Sequence, residues 1–547
     1  MIAIGKNQIV KEETEMKQRK YFEVFASVGR KKVPSLDHPQ SPEALLKDME
    51  YARIHGAALV ANSSIDYSFF YGNNEAIDLA KNSPRLVHLA AVPNTAPLES
   101  GDKDYFNTVL NQGAKGLVLP NSWTYRSPIL PKSIKPMVEA LEAHNLPLII
   151  TNVVEPERLA TCGDIAEAYP DLPILMQGTT WGFGRAFWDV MERCPNLYYE
   201  ISSIHINDIL EYTKNYLGIE RVLYSSSWPI KSMGALKSLI EWADLSEEEK
   251  DLVASGNAYR LLGLDPNAFS LYDDADCQFD EIAKEADAGL PISTRVIDMH
   301  SHVVGKSARS VNNCIMLNAD HDHIAKKMDR LGIDTTITAP WSGINYDGIL
   351  GMEETLESAK AHPGKFLGFS TANIHYQEDL DSLVKYHEEY PDIFVGVKPY
   401  PPYQQFSLLD DVCADWFTYA NDHHLLMLVH ADGGEYADHV DVLADKYPNI
   451  TFILAHSGTS YGVARKNASV ANKHDNVVLD ITYTTTGRDM IEFLVKEVGA
   501  DKVLYGSDLP MRDPAPQLGW VCYARISLED KKKLLSGNIE RLLKKRI

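Results

Sequence analysis

The 547-residue sequence lacks the cysteine pattern of a protein organised by disulfides or by thiolate-bound metal. Its six cysteines lie far apart, and no two of them form a Cys-x-x-Cys pair. Such spacing indicates neither a disulfide framework nor a thiolate zinc site. The chain also has no apolar run that approaches the ~20 residues of a membrane-spanning helix. We therefore expect reduced, buried thiols in a cytoplasmic protein without a membrane partner.

Positive charge is scarce as well. The chain has 53 Lys and Arg against 76 Asp and Glu, which gives a net charge of -23. A surface of that sign repels phosphate backbones and anionic lipids, so we expect no nucleic-acid partner. Hydrophobic residues make up 45% of the chain, enough for more than one large core at this length. Small molecules remain as the expected partners, and association with further copies of the chain stays open.

The sequence contains the same pattern twice. RVLYSSSWPI at 221–230 matches KVLYGSDLPM at 502–511, and SGNAYRLLGLD at 255–265 matches SGNIERLLKKR at 536–546, both with an offset of 281 residues. An acidic segment poor in large apolar residues separates the two halves. This duplication predicts four parts: an N-terminal extension at 1–19, a first domain at 20–264, an exposed acidic linker at 265–291 and a second domain at 292–547.

Eight apolar runs in the second half, each bounded by turn residues, alternate with helix-like segments. The runs are TRVIDMH, DTTITAP, KFLGFSTA, FVGVKPY, LLMLVH, ITFILAH, NVVLDIT and KVLYGSD. Continuous apolar strands are typical of a parallel sheet that is covered on both faces. Eight such βα units in about 250 residues are typical of a TIM barrel. We therefore predict an α/β fold with two tandem TIM-like (β/α)8 barrels.

Polar residues end several of the predicted strands. His300 and His302 end the first strand, where alternate residues point the same way. Later strands end in further candidates: Lys398, His430, His456 and Asp508. Because the carboxyl ends of barrel strands converge, we expect these side chains in one pocket. Imidazoles with a carboxylate suit zinc or another divalent transition metal with an open coordination position.

A second His-x-His pair has a different setting. His321 and His323 open a helical pattern and do not end a strand. Short motifs of this kind recur by chance in a chain with 18 histidines. We interpret both as surface residues and not as metal ligands.

The second half resembles the metal-dependent amidohydrolase superfamily, and within it the amidohydrolase-2 branch that includes aminocarboxymuconate-semialdehyde decarboxylase-like enzymes. The matching pieces are DMHSH, MDRLGID, GVKPYPP, VHADGG, AHSG, YGSDLP and SGNIERLL, in the family's order over residues 297–543. The resemblance implies one divalent metal, with zinc as the first expectation and manganese as the second. Its ligands would be His300, His302, His430 and Asp508.

The resemblance also implies roles for two further residues. His456 would stand beside the metal-bound water or the substrate carbonyl. In some branches of the superfamily a lysine at the position of Lys398 is carboxylated and bridges two metals. Here Lys398 is equally consistent with an unmodified lysine that orients the substrate, and we favour a single metal.

The first copy aligns with the second but lacks its polar strand ends. Phe25 and Ser27 stand at the positions of the paired histidines, and the position of His456 falls on Met176 or Gln177. The remaining positions are occupied by Val118, Thr151 and Ser227. We therefore expect one metal per chain, in the second barrel alone.

Two reactions fit the resemblance, and we expect the first of them. Hydrolysis of an amide, lactone or similar carbonyl compound would use a metal-activated water, with Asp508 taking its proton and His456 stabilising the oxyanion. Non-oxidative decarboxylation of an unsaturated or aromatic carboxylate would use the same site and a cation for the carboxylate. Lys306 or Arg309 would supply that cation, unless both are solvated loop charges. A third interpretation, of another class, is a non-catalytic tandem barrel that binds a small molecule or partner.

The first copy has one residue with a separate functional interpretation. In decarboxylase-like members of the branch, an arginine of the neighbouring subunit reaches into the active site. The first copy has GTTWGFGRAFW at the matching place, with Arg185 after the Gly-rich turn. The resemblance implies a pseudo-dimer within one chain in which Arg185 binds an anionic substrate at the second site. The alternative is an ordinary surface arginine on the helix after strand six.

Overall fold

The structure is a computed structural model that describes residues 19–31, 40–120, 129–270, 279–305, 310–311, 314–316, 318–482 and 485–546. The proposed N-terminal extension at 1–19 therefore lies outside the described residues except for Arg19, which is ion-paired with Glu241. None of the helices in the described ranges is long and apolar enough to cross a bilayer.

The first barrel has eight strand positions that run parallel. Its third position is interrupted at Leu89, so the hydrogen bonding divides into a three-stranded and a six-stranded sheet. Ser27 of the first strand donates to the Trp228 carbonyl at 2.8 Å, next to the last strand, and so joins the two edges. The strands are β1 Phe22–Val28, β2 Gly56–Ala61, β3 Leu86–His88, β4 Ala90–Ala91, β5 Leu117–Leu119, β6 Leu148–Ile150, β7 Ile174–Met176, β8 Leu197–Glu200 and β9 Val222–Leu223.

Helices cover the outside of this barrel. The first one begins at Ser41, whose hydroxyl accepts from Ala44 N, with Pro42 at the first helical position where no amide proton is needed. The helices are α1 Pro42–Tyr51, α2 Asn62–Asp66, α3 Phe69–Ala80, α4 Ala96–Ser100, α5 Tyr105–Asn111, α6 Lys135–His144, α7 Pro156–Ala168, α8 Gly184–Arg193, α9 Ile209–Tyr216, α10 Met233–Glu241, α11 Glu247–Asp251 and α12 Asn257–Leu261.

The acidic segment 265–291 is not an exposed linker over its described C-terminal part, so that expectation is wrong there. A helix, α13 Glu281–Asp287, buries Ile282 together with two alanines. Asp287 forms an ion pair with the buried Lys237 of the first barrel. Apolar residues on one face of this short helix pack it into the structure, although its composition is acidic.

The second barrel has eight parallel strands in sequence order, and each of the eight predicted apolar runs overlaps one of them. His302 N donates to Leu509 O at 2.6 Å and joins the first strand to the segment after the last. The predicted fold of two tandem TIM-like barrels is thus confirmed. The strands are β10 Ile297–Ser301, the antiparallel pair β11 Ser310–Val311 and β12 Cys314–Ile315, β13 Thr335–Thr338, β14 Phe366–Ser370, β15 Phe394–Val397, β16 Leu426–His430, β17 Thr451–Ala455, β18 Val477–Asp480 and β19 Val503–Leu504.

The helices of the second barrel follow the same plan. Asp320 caps the first of them by accepting from the amides of Asp322 and His323. The helices are α14 His321–Leu331, α15 Trp341–Asn345, α16 Gly348–Ala361, α17 Gln377–Glu389, α18 Pro401–Gln404, α19 Ala414–Asp422, α20 Glu435–Lys446, α21 Tyr461–Lys473, α22 Met490–Val498, α23 Pro514–Cys522, α24 Leu528–Lys532 and α25 Asn538–Leu543.

The two barrels pack on each other through the equivalent helices α10 and α23. Gly519 of α23 lies so close to Ser238 of α10 that a Cβ would overlap the serine side chain. These two residues are themselves equivalent under the offset of 281. Small residues at this point therefore allow the two helices to approach closely.

Backbone contacts across the same interface also occur in equivalent pairs. Ser232 N donates to Thr486 O at 2.9 Å, and Asp513 N donates to His205 O at 2.8 Å. The offset of 281 residues converts the first hydrogen bond into the second, with the barrels exchanged. The interface is therefore built from the same surface on both barrels.

Two buried charge clusters flank these contacts. In the lysine cluster, Lys327 Nζ of α14 lies 2.8 Å from an oxygen of Asp208 in the first barrel and 2.7 Å from an oxygen of Asp513. Although burial alone would lower the pKa of Lys327, the two carboxylates raise it above its usual range. The lysine is therefore charged and holds α14 against the first barrel.

The aspartate cluster occupies the corresponding place on the opposite side. Asp48 of α1 accepts from Arg488 Nε and Arg525 Nη2 of the second barrel, both at 2.6 Å. It also accepts from Trp228 Nε1 at 2.9 Å. Asp48 stands at the position on α1 that Lys327 has on α14, so the two clusters carry central charges of opposite sign.

We expect Lys327→Met to lower the free energy of unfolding by about 3–5 kcal/mol, because it leaves two buried carboxylates without their cation. Urea unfolding followed by circular dichroism measures the loss. Lys326→Met is the matched control, since Lys326 is exposed on the same helix and should change stability by about 0.5 kcal/mol at most. Equal stabilities of the two variants would contradict a structural role for the lysine cluster.

Candidate metal centre

Two histidines of the second barrel are fixed through Nδ1 by backbone carbonyls. His302 Nδ1 lies 2.7 Å from Ala339 O, and His456 Nδ1 lies 3.0 Å from Thr482 O. A carbonyl only accepts, so Nδ1 carries the proton in both rings and Nε2 is the nitrogen with the lone pair. Burial lowers the pKa of both histidines, and that of His456 falls well below its usual range. Neutral imidazoles in this tautomer are suited to bind a metal through Nε2.

His300 is fixed by a carboxylate instead. Its Nδ1 lies 2.8 Å from Asp480 Oδ2, and Asp480 in turn accepts from the amide and hydroxyl of Thr482 at 3.0 and 2.6 Å. Burial raises the pKa of Asp480 to about 6 and lowers that of His300 well below its usual range. The arrangement turns Nε2 of His300 toward the same point as Nε2 of His302.

Asp508 places one oxygen at this point. Its Oδ1 lies 3.0 Å from His302 Nε2 and 3.8 Å from His300 Nε2, while Oδ2 lies 3.2 Å from Arg512 Nη1. Burial alone would raise the pKa of Asp508, but Arg512 and His302 hold it well below its usual range. Three ligand atoms, from His300, His302 and Asp508, thus lie within 4.8 Å of one another. Two neutral imidazoles and an ionised carboxylate fit a divalent transition metal.

His430 lies beside this group and not inside it. Its Nδ1 is 3.1 Å from His456 Nε2, and its Nε2 is 3.1 Å from Asp432 Oδ1. The hydrogen bond from His430 lowers the pKa of Asp432 to about 2. His430 and His456 therefore form the other wall of the pocket, and rotation of the His430 ring is needed to free its Nε2.

Lys398 also reaches the centre. Its Nζ lies 2.6 Å from His300 Nε2, and the residue is buried at the end of β15. Burial lowers the pKa of Lys398 to about 8. The position agrees with both sequence-based alternatives, because a lysine that orients the substrate and a carboxylated lysine each need an amine beside the ligands.

We expect Asp480→Asn to weaken divalent-metal binding by about 10–100-fold, because it removes the acceptor that orients His300. Isothermal titration of metal-free protein with zinc or manganese measures the change. Glu200→Gln provides the control: Glu200 ends the equivalent strand β8 and accepts from Gly178 N at 2.7 Å. A loss of the same size in Glu200→Gln would show that the effect comes from general destabilisation.

Of the remaining candidate substrate contacts, the structure describes Arg185 alone. Lys306 and Arg309 fall outside the described residues. Arg185 is exposed near the start of α8. The prediction of a surface position holds for His323 but is wrong for His321, which is 5% exposed. The His321 ring packs 5.6 Å from that of His362 at the end of α16, where helix packing covers it.

Sequence reasoning missed the residues that orient the ligands. Asp480 ends the seventh predicted strand, NVVLDIT, and is a strand-end carboxylate that the pattern itself displayed. Arg512 follows Asp508 by four residues, a spacing that returns a side chain to the same region. Trp181 of the first barrel lies over Arg512, with the guanidinium carbon 4.0 Å from the centre of its ring. No local pattern points to that last contact.

In the first barrel, hydrogen-bonded side chains fill the equivalent place. Gln177 Nε2 donates to Ser227 Oγ at 2.8 Å, and Ser227 Oγ donates to Ser202 Oγ at 2.9 Å. Glu23 accepts from Ser226 N at 2.7 Å in the same interior. These side chains satisfy one another, and none of the residues at the aligned ligand positions is a histidine or a carboxylate.

The strand register corrects one alignment. β7 pairs with β8 in the first barrel as β17 pairs with β18 in the second. When these two pairings are matched residue by residue, Gly178 takes the position of His456. Both residues adopt a positive φ, 75° and 61°. The sequence alignment had left Met176 and Gln177 as the alternatives, because a loop of different length follows the strand. With Gly178 there, the position offers no side chain to a metal.

A sequence model of the amidohydrolase family matches residues 31–264 and 352–545, which together make up more than half of the chain. The chain belongs to the amidohydrolase family. The matched ranges of this amidohydrolase include Lys398, His430 and Asp508, whereas the His300 and His302 pair lies between them. No curated protein matches the chain.

Three solved structures each match 46% of this chain. A 5-carboxyvanillate decarboxylase from Novosphingobium aromaticivorans, complexed with manganese, is 16% identical, with a TM-score of 0.39 over 46% of this chain and 96% of that one. A 2,6-dihydroxybenzoate decarboxylase from Rhizobium is 17% identical, with a TM-score of 0.36 over 46% and 99%. A 4-oxalomesaconate hydratase from Rhodopseudomonas palustris is 16% identical, with a TM-score of 0.36 over 46% and 96%.

Proposed function

We propose that the second barrel is a metal-dependent hydrolase of a small carbonyl compound, such as an amide or a lactone. The observation that carries this proposal is the convergence of the Nε2 atoms of His300 and His302 with Asp508 Oδ1 in a buried pocket. A divalent metal held there would lower the pKa of a coordinated water to about 7 and polarise a substrate carbonyl. Zinc is our first choice and manganese the second, because this donor set suits either.

The protein's own groups have defined tasks in this proposal. Asp508 holds a negative charge at the ligand cluster, and Arg512 keeps that carboxylate ionised. His456 has its proton on Nδ1, so its Nε2, which lies 3.1 Å from His430 Nδ1, is an acceptor and does not donate to an oxyanion. The role of His456 in oxyanion stabilisation expected from the sequence is therefore less well supported, and Asp508 remains the proposed acceptor of the water proton.

A second reaction, non-oxidative decarboxylation, is favoured by one specific contact. Lys398 Nζ is a buried cation at the ligand cluster, where it can pair with a substrate carboxylate. Arg512, the other buried cation nearby, is already engaged by Asp508. Lys398 therefore supplies within the described pocket the positive charge that a carboxylate substrate requires.

Substrate profiling of the metal-loaded protein distinguishes these reactions. We would incubate zinc- and manganese-loaded enzyme with lactones, cyclic amides and aromatic or unsaturated carboxylates, and follow uptake of ¹⁸O from water and release of ¹³CO₂ from labelled carboxylates. Incorporation of ¹⁸O into product supports the hydrolase, and ¹³CO₂ release supports the decarboxylase. A protein that retains no metal and converts none of these compounds would favour the non-catalytic tandem barrel.

A further inference from the structure

We propose that Trp181 of the first barrel is a positioning residue for the metal centre of the second, acting through Arg512 on Asp508. The inference rests on the proposed metal-dependent function and extends it across the barrel interface. It gives the first barrel a role at a metal site to which the first barrel contributes no ligand.

The contact forms a direct chain from one barrel to the other. Trp181 lies in a short turn, Trp181–Phe183, between β7 and α8. Its ring faces the Arg512 guanidinium at 4.0 Å, and Arg512 Nη1 lies 3.2 Å from Asp508 Oδ2. The side chains of Arg512 and Asp508 are each only 3% exposed. A half-buried indole, a buried guanidinium and a buried carboxylate thus succeed one another in a row.

The indole has a physical task in this row. A buried guanidinium has lost most of its hydration, and the face of an aromatic ring attracts a desolvated cation more strongly than an exposed one. The ring also occupies the space into which the arginine would otherwise swing. Arg512 is therefore held with one nitrogen toward Asp508 Oδ2, and the other oxygen, Oδ1, remains directed at the histidines.

The first barrel holds the neighbouring residue in place as well. Asp513 N donates to His205 O at 2.8 Å, and Asp513 Oδ2 accepts from Asp208 N at 3.0 Å. At the other end of the contact, Gly184, which follows the turn, packs against Ile315 of the second barrel. A Cβ atom added to Gly184 would lie 3.4 Å from the Ile315 amide nitrogen. Both ends of the contact between Trp181 and Arg512 are thereby anchored across the interface.

The contact departs from the equivalence of the two barrels. Tyr461 is the counterpart of Trp181 in the repeated sequence, and Lys231 is the counterpart of Arg512. Tyr461 instead donates to Arg488 O at 2.6 Å and packs on Phe493 within its own barrel. The contact between an aromatic residue and a cation is therefore made by Trp181 and Arg512, beside the candidate metal ligands, and not by Tyr461. This asymmetry associates the contact with the function of the second barrel and not with the interface that both barrels share.

Three variants test the proposal. Trp181→Leu removes the aromatic face and keeps an apolar side chain, whereas Trp181→Phe keeps the face. Trp188→Leu is the control, because Trp188 belongs to the same segment but packs on Phe187 and Tyr212 of its own barrel. For each we would titrate the metal-free protein with manganese and zinc by calorimetry, record thermal unfolding, and measure kcat and KM on a substrate found by profiling.

We expect Trp181→Leu to weaken metal binding by about 10–100-fold, the range for groups that orient a ligand, and to lower kcat more than it raises KM. Trp181→Phe should stay within a few-fold of the wild type, and Trp188→Leu should bind metal normally. Unchanged metal affinity in Trp181→Leu, or an equal loss in Trp188→Leu, overturns the proposal and leaves the metal-dependent function intact. Absence of metal binding by the wild type contradicts both.

Discussion

Asp508→Asn is expected to lower turnover by about 10²–10⁴-fold, the range over which a group that transfers protons contributes to catalysis. The amide keeps the shape of the carboxylate but loses its charge, its capacity to accept a proton and much of its value as a ligand. It also leaves Arg512 buried without its anion, so metal affinity should fall together with turnover. Steady-state kinetics at saturating metal and calorimetric titration measure the two effects separately.

The first barrel supplies the control for this substitution. Ser227 stands at the position of Asp508, and like it adopts a positive φ, 49° against 69°. Ser227→Ala should leave kcat and metal affinity unchanged while removing hydrogen bonds from the first interior. If Asp508→Asn keeps more than a few per cent of activity at saturating metal, another group is the proton acceptor, and His456 Nε2 is the one next to be replaced.

Purified protein is expected to hold about one divalent metal per chain, and the double variant His300→Ala/His302→Ala to hold none. Both histidines turn Nε2 toward Asp508, so their loss removes two of the three ligand atoms that lie together. Structural and catalytic zinc sites rarely survive the loss of two ligands. Elemental analysis after dialysis against a weak chelator gives the stoichiometry, and turnover should disappear with the metal.

The corresponding control is Ser27→Ala, which alters the first-barrel position equivalent to His302 and should leave the stoichiometry at one. Two metals per chain in the wild type would contradict a mononuclear centre. In that event carboxylation of Lys398 would be the first explanation to test, by removing and restoring bicarbonate. Loss of the second metal in Lys398→Ala would then identify the bridging group.

The fold and the strand-end positions of the candidate ligands were predictable because both follow local rules. Each strand of the second barrel is a short apolar run, and the candidates His300, Lys398 and Asp508 come directly at or after strand ends. Parallel topology alone then brings them to one edge. Asp480 also ends a strand, and its carboxylate binds His300 Nδ1. The same rule therefore predicts its place beside the candidate ligands.

Other features depend on contacts that no local pattern contains. Trp181 and Arg512 meet although more than 300 residues separate them in the sequence. His321 is buried beside the ring of His362, a contact that a helical pattern with a polar start does not display. In α13, Glu281–Asp287, the apolar spacing was present but the acidic composition favoured an exposed interpretation. Tertiary packing decides all three cases.

The opposite signs of the two interface clusters determine which barrels can associate through this surface. The counterparts of Arg488 and Arg525 in the first barrel are Asn207 and Asp244. If two first barrels joined in the same way, Asp48 of one would therefore face an asparagine and an aspartate of the other in place of two arginines. Two second barrels would bring Lys327 to Arg488 and Arg525. Like charges brought together in this interface disfavour both pairings, whereas a pair of unlike barrels neutralises each charge. The surface therefore selects a first barrel as the partner of a second barrel, which keeps Trp181 beside the candidate metal centre.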